Sequence, residues 1–251
     1  MKRRLETDFG RAADDYARHR PGFPPAFFDH VSALGVGVAG QRVLDLGTGT
    51  GTLARGFAER GCDVVALDPS PEMLAQAAKT SARVRWVEGW AESPGLADGD
   101  FDVVCAGQSW HWFDRARAAA EAKRLLRAKG RLLVAYFSYL PLAGGVAEAT
   151  EAIVLRHHPT WTWAGHDGRH PEFVPELERA GFSRTSTFDF VVSIAFTHEA
   201  WRGRIRACNG VLALPPRAAA AFDADLARVL TERFPEPLRI DHRVWGIVAA
   251  A

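Results

Sequence analysis

The stretch "VLDLGTGTG", Val43 to Gly51, decides the fold because it places three glycines directly after an apolar run. Glycine lets the backbone turn tightly and approach a ligand without interference from a Cβ atom. The helical spacing of "TLARGFAER" follows at once, so the loop is predicted to end at the free N–H groups of a helix. In an open parallel sheet, ligands bind in the crevice beyond the carboxyl end of such a strand.

Apolar runs and helical patterns alternate regularly around this loop. The apolar runs predict five strands, at 42–46, 63–68, 83–89, 101–107 and 131–137. Helical spacing predicts three helices among them, at 52–60, 70–79 and 115–130, the last one closed by Gly130. Strand, helix and strand at this spacing indicate right-handed βαβ units and a parallel sheet that is covered on both faces.

The order of the elements changes after Tyr139. Helical patterns predict helices at about 144–157, 198–208 and 217–234, and another that Pro171 opens. Strands are predicted at 187–196 and at 242–250, the latter antiparallel beside the fifth strand. Since no low-complexity linker interrupts the 251 residues, we interpret them as one doubly wound α/β domain. Its expected parts are an N-terminal segment (1–40), a core (41–140) and cap helices with the last strands (141–251).

The composition excludes several classes of protein. The formal net charge is +1 and the arginines are scattered, which disfavours binding to nucleic acid or to an anionic membrane. Cys62, Cys105 and Cys208 are isolated, so neither a disulfide framework nor a metal site is expected. No apolar run approaches the ~18 residues of a membrane span, and the first residues lack a signal-peptide pattern. The expected location is the cytoplasm.

A nicotinamide dinucleotide is the main competing ligand for the glycine loop. Its fingerprint, Gly-x-Gly-x-x-Gly, would place the third glycine where the sequence has Thr52. The spacing here is Gly-x-Gly-x-Gly instead, and Asp45 lies two residues before the first glycine. A tight turn with a purely structural role is the other alternative.

Several motifs, in order along the chain, resemble the class I S-adenosylmethionine-dependent methyltransferases. "VLDLGTGTG" is similar to their first motif and "ALDPS" to their second. "VEGWAESPGLADGDFDVV" resembles the segment beside the adenine, and "GQSWHWFD" resembles the small-molecule subgroup of type 11 and trans-aconitate methyltransferases. "YARHRPGFP", Tyr16 to Pro24, resembles that subgroup's segment over the cofactor. The likeness implies a Rossmann-like, mostly parallel, seven-stranded sheet with helices on both faces and a helical cap.

The resemblance implies a site for S-adenosyl-L-methionine and its product S-adenosyl-L-homocysteine. Asp45 is expected to orient the loop and meet the methionine ammonium, directly or through water. Asp68 is expected to accept charge-assisted hydrogen bonds from both ribose hydroxyls, and Ala91 to offer its backbone N–H to the adenine edge. The other expected cofactor contacts are Tyr16, Arg20, Gly47, Thr48, Gly49, Gly51, Pro69, Met73, Trp90, Glu92 and Gln108.

Trp90 departs from the family pattern, since many relatives carry an aspartate there that binds the adenine amino group. An indole cannot accept that hydrogen bond. The contact is therefore lost, moved to Glu92, or replaced by stacking of the indole on the adenine. A position in the hydrophobic core is the alternative for this side chain.

The loop "GQSWHWFD", Gly107 to Asp114, is predicted to line a substrate pocket where the methyl group emerges. Aromatic walls exclude water and attract a sulfonium cation, and this favours Trp110 as a pocket residue. His111, whose ordinary pKa is ~6.5, is a candidate general base for an acceptor that carries a proton. Alternatively, the imidazole caps the next helix or orients Trp110. Trp112 is expected to pack inward, because adjacent residues of an extended segment face opposite ways.

Two later segments supply further candidates for the substrate pocket. Trp161 and Trp163 lie in a histidine-rich loop and are expected to line the cap. In "AWRGRIRAC", Arg206 is the candidate for an anionic substrate, and a solvated helix face is the alternative. Arg20 is expected to meet the methionine carboxylate.

Metal binding is not expected in the histidine-rich loop. His166 and His170 would share one face of a helix, but Gly165 and Gly168 break that helix. No cysteine or carboxylate completes a convincing ligand set there.

The predicted function is methyl transfer from S-adenosylmethionine to a small-molecule acceptor by in-line displacement. A nucleic-acid methyltransferase is disfavoured, since the loop Gly107-Gln108-Ser109-Trp110 is not the Asp/Asn-Pro-Pro-aromatic loop of enzymes that methylate amino groups. A binding or regulatory protein on the same fold and an NAD-dependent oxidoreductase are the remaining alternatives.

Overall fold

The structure, a computed structural model, describes residues 18–251 and divides them into two compact units. The glycine-loop unit consists of residues 21–137, 169–190 and 244–251. The helical unit consists of residues 18–20, 138–168 and 191–243. The expected cap, 141–251, is therefore not continuous, since 169–190 and 244–251 belong to the unit that holds the glycine loop.

The strands form one seven-stranded sheet with the order β3-β2-β1-β4-β5-β7-β6. Their bounds are β1 Arg42–Leu46, β2 Asp63–Asp68, β3 Val84–Glu88, β4 Phe101–Gly107, β5 Leu126–Tyr139, β6 Ser183–Phe196 and β7 Leu238–Ala250. β1 pairs in parallel with β2 and β4, β2 with β3, and β4 with β5. β7 is antiparallel to β5, because Leu140 N–H donates to Asp241 whereas Ala251 N–H donates to Gly130. The predicted mostly parallel, seven-stranded sheet is confirmed.

Nine helices accompany the sheet in the described part of the chain. They are α1 Pro25–Ala33, α2 Thr52–Glu59, α3 Pro71–Ala78, α4 Arg115–Leu125, α5 Val146–His157, α6 Phe173–Arg179, α7 His198–Arg206, α8 Asn209–Leu212 and α9 Pro216–Arg233. Local sequence sets several of their ends. Ser70 caps α3 by accepting a hydrogen bond from Met73 N–H, with Pro71 in the first turn. Gly61, with φ +87°, ends the turn after α2.

The predicted helix 115–130 is wrong beyond Leu125. Leu126 is extended, with φ −74° and ψ 140°, and pairs with Phe101 at the start of β5. The carbonyls of Arg124 and Leu125 accept hydrogen bonds from Gly99 and Asp100, at 3.0 and 2.9 Å. A loop that is distant in sequence thus satisfies the groups that a longer helix would have used. Pro171 likewise lies in a turn, and α6 begins at Phe173.

Each unit has a hydrophobic core of its own. In the glycine-loop unit, β1, β2, β4 and β5 contribute buried side chains that pack with Trp110, Phe173 and Trp245. In the helical unit, α5, α7 and α9 bury Ile153, Trp201 and Phe222 against one another. Among residues 18–251, no helix has the length and apolar character needed to cross a membrane.

Candidate active site

The glycine loop between β1 and α2 has left-handed backbone at all three glycines. The φ angles of Gly47, Gly49 and Gly51 are +65°, +57° and +78°, in a region that side chains with a Cβ rarely adopt. A Cβ on Gly47 would lie 2.7 Å from Ser109, and one on Gly51 would lie 2.3 Å from Trp86. A Cβ on Gly49 would meet nothing within 4 Å. Neighbouring side chains therefore leave no room for a Cβ atom at Gly47 or Gly51, whereas the space over Gly49 is open.

Asp68, the last residue of β2, holds this loop in place. Its carboxylate accepts hydrogen bonds from Gly49 N–H at 2.7 Å and from Ser70 N–H at 2.9 Å. Burial raises the pKa of Asp68, and the two backbone hydrogen bonds oppose that effect. A carboxylate has about four acceptor sites, so Asp68 keeps the capacity to bind two further donors beside the open space.

Asp45 lies deeper, within β1, and is 1% exposed. Its carboxylate accepts hydrogen bonds from the Thr48 hydroxyl at 2.6 Å and from the Cys105 thiol at 3.6 Å. Burial raises the pKa of Asp45 from 3.8 to about 7, and the charge of Asp68 raises it further. Thr48 also donates its backbone N–H to Leu67 at 3.0 Å, so the loop is tied to β1 and β2 at once.

The loop after β4 meets the glycine loop through Ser109. The Ser109 hydroxyl donates to the Leu46 carbonyl at 2.7 Å. Gln108, just before it, has φ +59°, a strained conformation for a residue with a side chain and one that is concentrated at functional sites. Gln108 is among the residues predicted from the sequence, whereas Ser109 is not, because a serine in a loop carries no signal of the carbonyl that it binds.

The expected adenine contacts follow β2 and β3. Met73 and Ala91 are buried, at 4% and 3% exposure, and Pro69 is half-buried. Trp90 is 37% exposed, so a position in the hydrophobic core is wrong for it. Glu92 accepts a hydrogen bond from Asp114 N–H at 2.7 Å, which commits part of its carboxylate to the start of α4.

The predicted orientation of the two tryptophans in "GQSWHWFD" is wrong. Trp110 has no exposed surface and belongs to the core, whereas Trp112 is half-buried. The segment is a 3₁₀ turn, Trp110–Trp112, and not the extended segment that the alternation argument assumed. Since the interior of the protein already surrounds Trp110, that side chain lines no open pocket in this structure.

His111, between these tryptophans, is held by Tyr136 of β5. The Tyr136 hydroxyl accepts from His111 backbone N–H at 3.1 Å and lies 2.8 Å from His111 Nδ1. Burial raises the pKa of Tyr136 well above its ordinary value, so the hydroxyl stays protonated and its hydrogen is available to Nδ1. Tyr136, which the sequence reading missed, therefore fixes the orientation of the imidazole.

His170 packs behind this pair and is 3% exposed. Its ring lies 4.0 Å from the Tyr136 ring and stacks on Phe173 at 4.8 Å and 5°. Its Nδ1 lies 3.1 Å from a Glu172 carboxylate oxygen. Among residues 18–251, no group of three His, Cys, Asp or Glu side chains is arranged to hold a metal ion.

The other predicted site residues lie in the helical unit or outside the described chain. Trp161 donates its indole N–H to Asn209 at 3.1 Å, and the Trp163 ring lies 5.5 Å from His166. Arg206 forms salt bridges with Glu199 at 2.8 Å and Asp223 at 3.2 Å. The prediction of Arg206 for an anionic substrate is therefore corrected, because two carboxylates already neutralise it. Arg20 is half-buried, and Tyr16 lies outside the described residues.

Comparison with known proteins finds a similar family and a similar solved structure. A family profile described as a methyltransferase domain matches residues 44–134, which include the glycine loop, Asp68 and the loop after β4. A solved structure described as a type II methyltransferase, from Anaeromyxobacter dehalogenans, is 25% identical. It aligns over 92% of this chain and 97% of its own, with a TM-score of 0.65. The chain is thus similar to known methyltransferases, in sequence over residues 44–134 and in fold over most of its length.

Two curated relatives match a shorter part of the chain. An uncharacterised methyltransferase of Mycobacterium tuberculosis (strain ATCC 25618 / H37Rv) is 41% identical over 152 residues. A malonyl-[acyl-carrier protein] O-methyltransferase of Enterobacter lignolyticus (strain SCF1) is 35% identical over 132 residues, 52% of each chain. The match to the mycobacterial relative spans about three fifths of each protein, 61% of both chains. Both relatives thus match the chain over only part of its length.

Proposed function

We propose that this protein is a methyltransferase, which binds S-adenosylmethionine at the glycine loop and transfers its methyl group to a small-molecule acceptor. One observation carries the proposal: the buried Asp68 carboxylate is fixed by Gly49 N–H beside open space over Gly49. When bound, S-adenosylmethionine supplies an electrophilic methyl group for in-line displacement. The main contribution of the protein is then alignment and exclusion of water.

The residues around the loop fit such a cofactor. Asp68 has acceptor capacity left for a pair of ribose hydroxyls, and such charge-assisted hydrogen bonds are strong. The lack of a Cβ at Gly49 lets a ligand approach the backbone closely. Asp45, whose pKa burial raises to about 7, gains from a neighbouring ammonium, since a positive charge favours the ionised carboxylate.

The exposure and position of Trp90 support stacking of its indole on the adenine ring. Its indole is 37% exposed, and it lies one residue after Gly89, whose N–H donates to the Asp68 carbonyl at 3.1 Å. Since Glu92 binds the Asp114 amide, we assign the ring contact to the face of Trp90 and the edge contact to the backbone of Ala91.

We assign His111 the role of a hydrogen-bond donor to the acceptor molecule. The Tyr136 hydroxyl accepts the His111 backbone N–H, and we assign its own hydrogen to Nδ1. A neutral imidazole that accepts at Nδ1 carries its hydrogen on Nε2. His111 therefore orients the acceptor through Nε2–H. To act as a base at Nε2, the imidazole must first carry its hydrogen on Nδ1 instead, and the Tyr136 hydroxyl must then accept from Nδ1.

A screen with extracts of cell metabolites tests the proposal. The protein is incubated with S-adenosylmethionine and an extract, and mass spectrometry records molecules that gain one methyl group. We expect at least one such product and equimolar S-adenosylhomocysteine. A protein that binds the cofactor but methylates nothing in the extract would favour the regulatory alternative.

A further inference from the structure

Helix α7 of the helical unit carries three arginines with very different surroundings. Arg202 pairs with Asp223 and Glu199, and Arg206 pairs with the same two acids. Arg204 points to the other side and is 5% exposed. Two arginines of this helix are thus neutralised at its surface, while the third brings its charge into the unit's interior.

The guanidinium of Arg204 is surrounded by rings and a thiol. It lies 5.0 Å from the centre of the Tyr139 ring and 5.9 Å from that of Trp201. Nη1 donates to the Cys208 sulfur at 3.4 Å, which is a weak acceptor. Nε is buried and has no hydrogen-bond partner. Within residues 18–251, no carboxylate forms a salt bridge with Arg204.

Two further buried side chains of this unit, Glu151 and His242, do not neutralise Arg204. Glu151 accepts hydrogen bonds from Gly165 N–H at 2.8 Å and from the Tyr139 hydroxyl, and it forms no salt bridge with Arg204. His242 is fully buried and donates its Nδ1 hydrogen to the Ile240 carbonyl at 2.9 Å. Burial, together with the charge of Arg204, lowers the pKa of His242 to about 3, so the imidazole is neutral.

We propose that Arg204 is the binding group of a site for a small carboxylate anion. A buried cation without a counterion is costly, and a bound anion removes that cost. The planar guanidinium presents paired N–H donors that match a carboxylate bidentately. The rings of Tyr139 and Trp201 and the half-buried Cys208 give the ligand an apolar surround, which suits an organic acid better than a hydrated inorganic ion.

The bound carboxylate has one of two sources. It is either the acid group of the methyl acceptor, which rests on the proposed function, or the acid group of a ligand that is not methylated. The same chemistry recognises both, so binding and methylation are measured separately.

Calorimetric titrations with acetate, butyrate, benzoate and succinate test the site. Chloride and sulfate at matched ionic strength are the controls, and wild type is compared with R204M, R204K and R202M. We expect at least one organic acid to bind wild type and R202M alike. Binding falls about 10- to 100-fold in R204M, which loses a charge-assisted contact. R204K keeps the charge but not the planar fork, so binding weakens there too, and this holds even if R204M does not fold.

The same acids are then incubated with S-adenosylmethionine. A methylated product that R204M forms more slowly assigns the site to the acceptor, whereas binding without methylation assigns it to a separate ligand. Loss of methylation of every acceptor with acid binding intact would refute the proposed function and leave the anion site standing. Binding of no organic acid, equal binding of chloride, or equal affinity in R204M overturns the anion site.

Discussion

The two units bury charged side chains in different ways. In the glycine-loop unit, Asp45 and Asp68 are buried carboxylates that accept hydrogen bonds from the loop they organise. In the helical unit, Arg204 is a buried cation whose strongest contacts are aromatic rings. Asp45 bonds Thr48 three residues later, and Asp68 bonds Gly49 across 19 residues, and the two acids lie in the motifs "VLDLGTGTG" and "ALDPS". Arg204 contacts Trp201 and Cys208 close by in sequence, but the Tyr139 ring comes from a distant strand, so no motif marks this cluster.

The largest expected effect comes from removal of the charge of Asp45. The pKa of this carboxyl in the folded protein is about 7, above its ordinary 3.8. Because the pKa is raised in the folded protein, protonation of the Asp45 carboxyl stabilises the folded state, and it does so fully only below pH 3.8. This contribution to the free energy of unfolding is lost as the pH rises to about 7. The loss corresponds to about 4 kcal/mol. We therefore expect D45N to be more stable than wild type at pH 8, with a difference that shrinks towards pH 5.

Urea unfolding at pH 5, 6, 7 and 8 measures this difference. D63N, at the exposed start of β2, is the matched control and should show no comparable trend. Cofactor affinity of wild type should rise with pH through about 7, since an ionised Asp45 attracts the ammonium, and D45N should lack that rise. A pH-independent stability difference would show that Asp45 is not the group that titrates.

Loss of the Asp68 carboxylate is expected to weaken cofactor binding about 100-fold, through two charge-assisted hydrogen bonds. D68A also frees Gly49 N–H, so the loop loses its anchor. Isothermal titration with S-adenosylhomocysteine measures the effect. D63A keeps the same strand and removes a carboxylate from its other end, so its affinity should equal that of wild type. Equal affinities of D68A and wild type would remove Asp68 from the ribose site.

Y136F is expected to slow methyl transfer about tenfold while cofactor affinity stays the same. The substitution removes the partner of His111 Nδ1 and of its backbone N–H, at a cost of about 1–2 kcal/mol in stability. Without the Tyr136 hydroxyl at Nδ1, the His111 imidazole loses its fixed tautomer. Single-turnover rates across pH 6 to 9 measure this effect. An unchanged rate and pH profile would leave Tyr136 a structural role only.

How much of this was readable from the sequence differs between the two units. The bounds of β1, β2 and β4, the Ser70 cap and the glycine loop follow from local rules, and the structure confirms them. The error at Leu126 arose because pairing with Phe101 outweighs helical spacing. The positions of Tyr136 beside His111 and of Tyr139 beneath Arg204 depend on tertiary packing, so no spacing in the sequence indicates them.

The smallest expected effect is that of W90A on cofactor binding. Stacking on an aromatic ring contributes about 1–3 kcal/mol per base, and partial exposure of Trp90 favours the lower end, about five- to tenfold in affinity. W90F should retain most of it, because a phenyl ring preserves the stacking face. A comparison of both variants by titration with S-adenosylhomocysteine tests the assignment. Equal affinity of W90A and wild type would contradict it.

The central claim is that the loop between β1 and α2 holds an adenosine cofactor with an amino-acid tail and not a dinucleotide. Calorimetric titration of the wild-type protein with S-adenosylmethionine, S-adenosylhomocysteine and NAD tests it most directly. The account predicts binding of both sulfur compounds in the micromolar range and no heat with NAD. Binding of NAD without a response to either sulfur compound would contradict it.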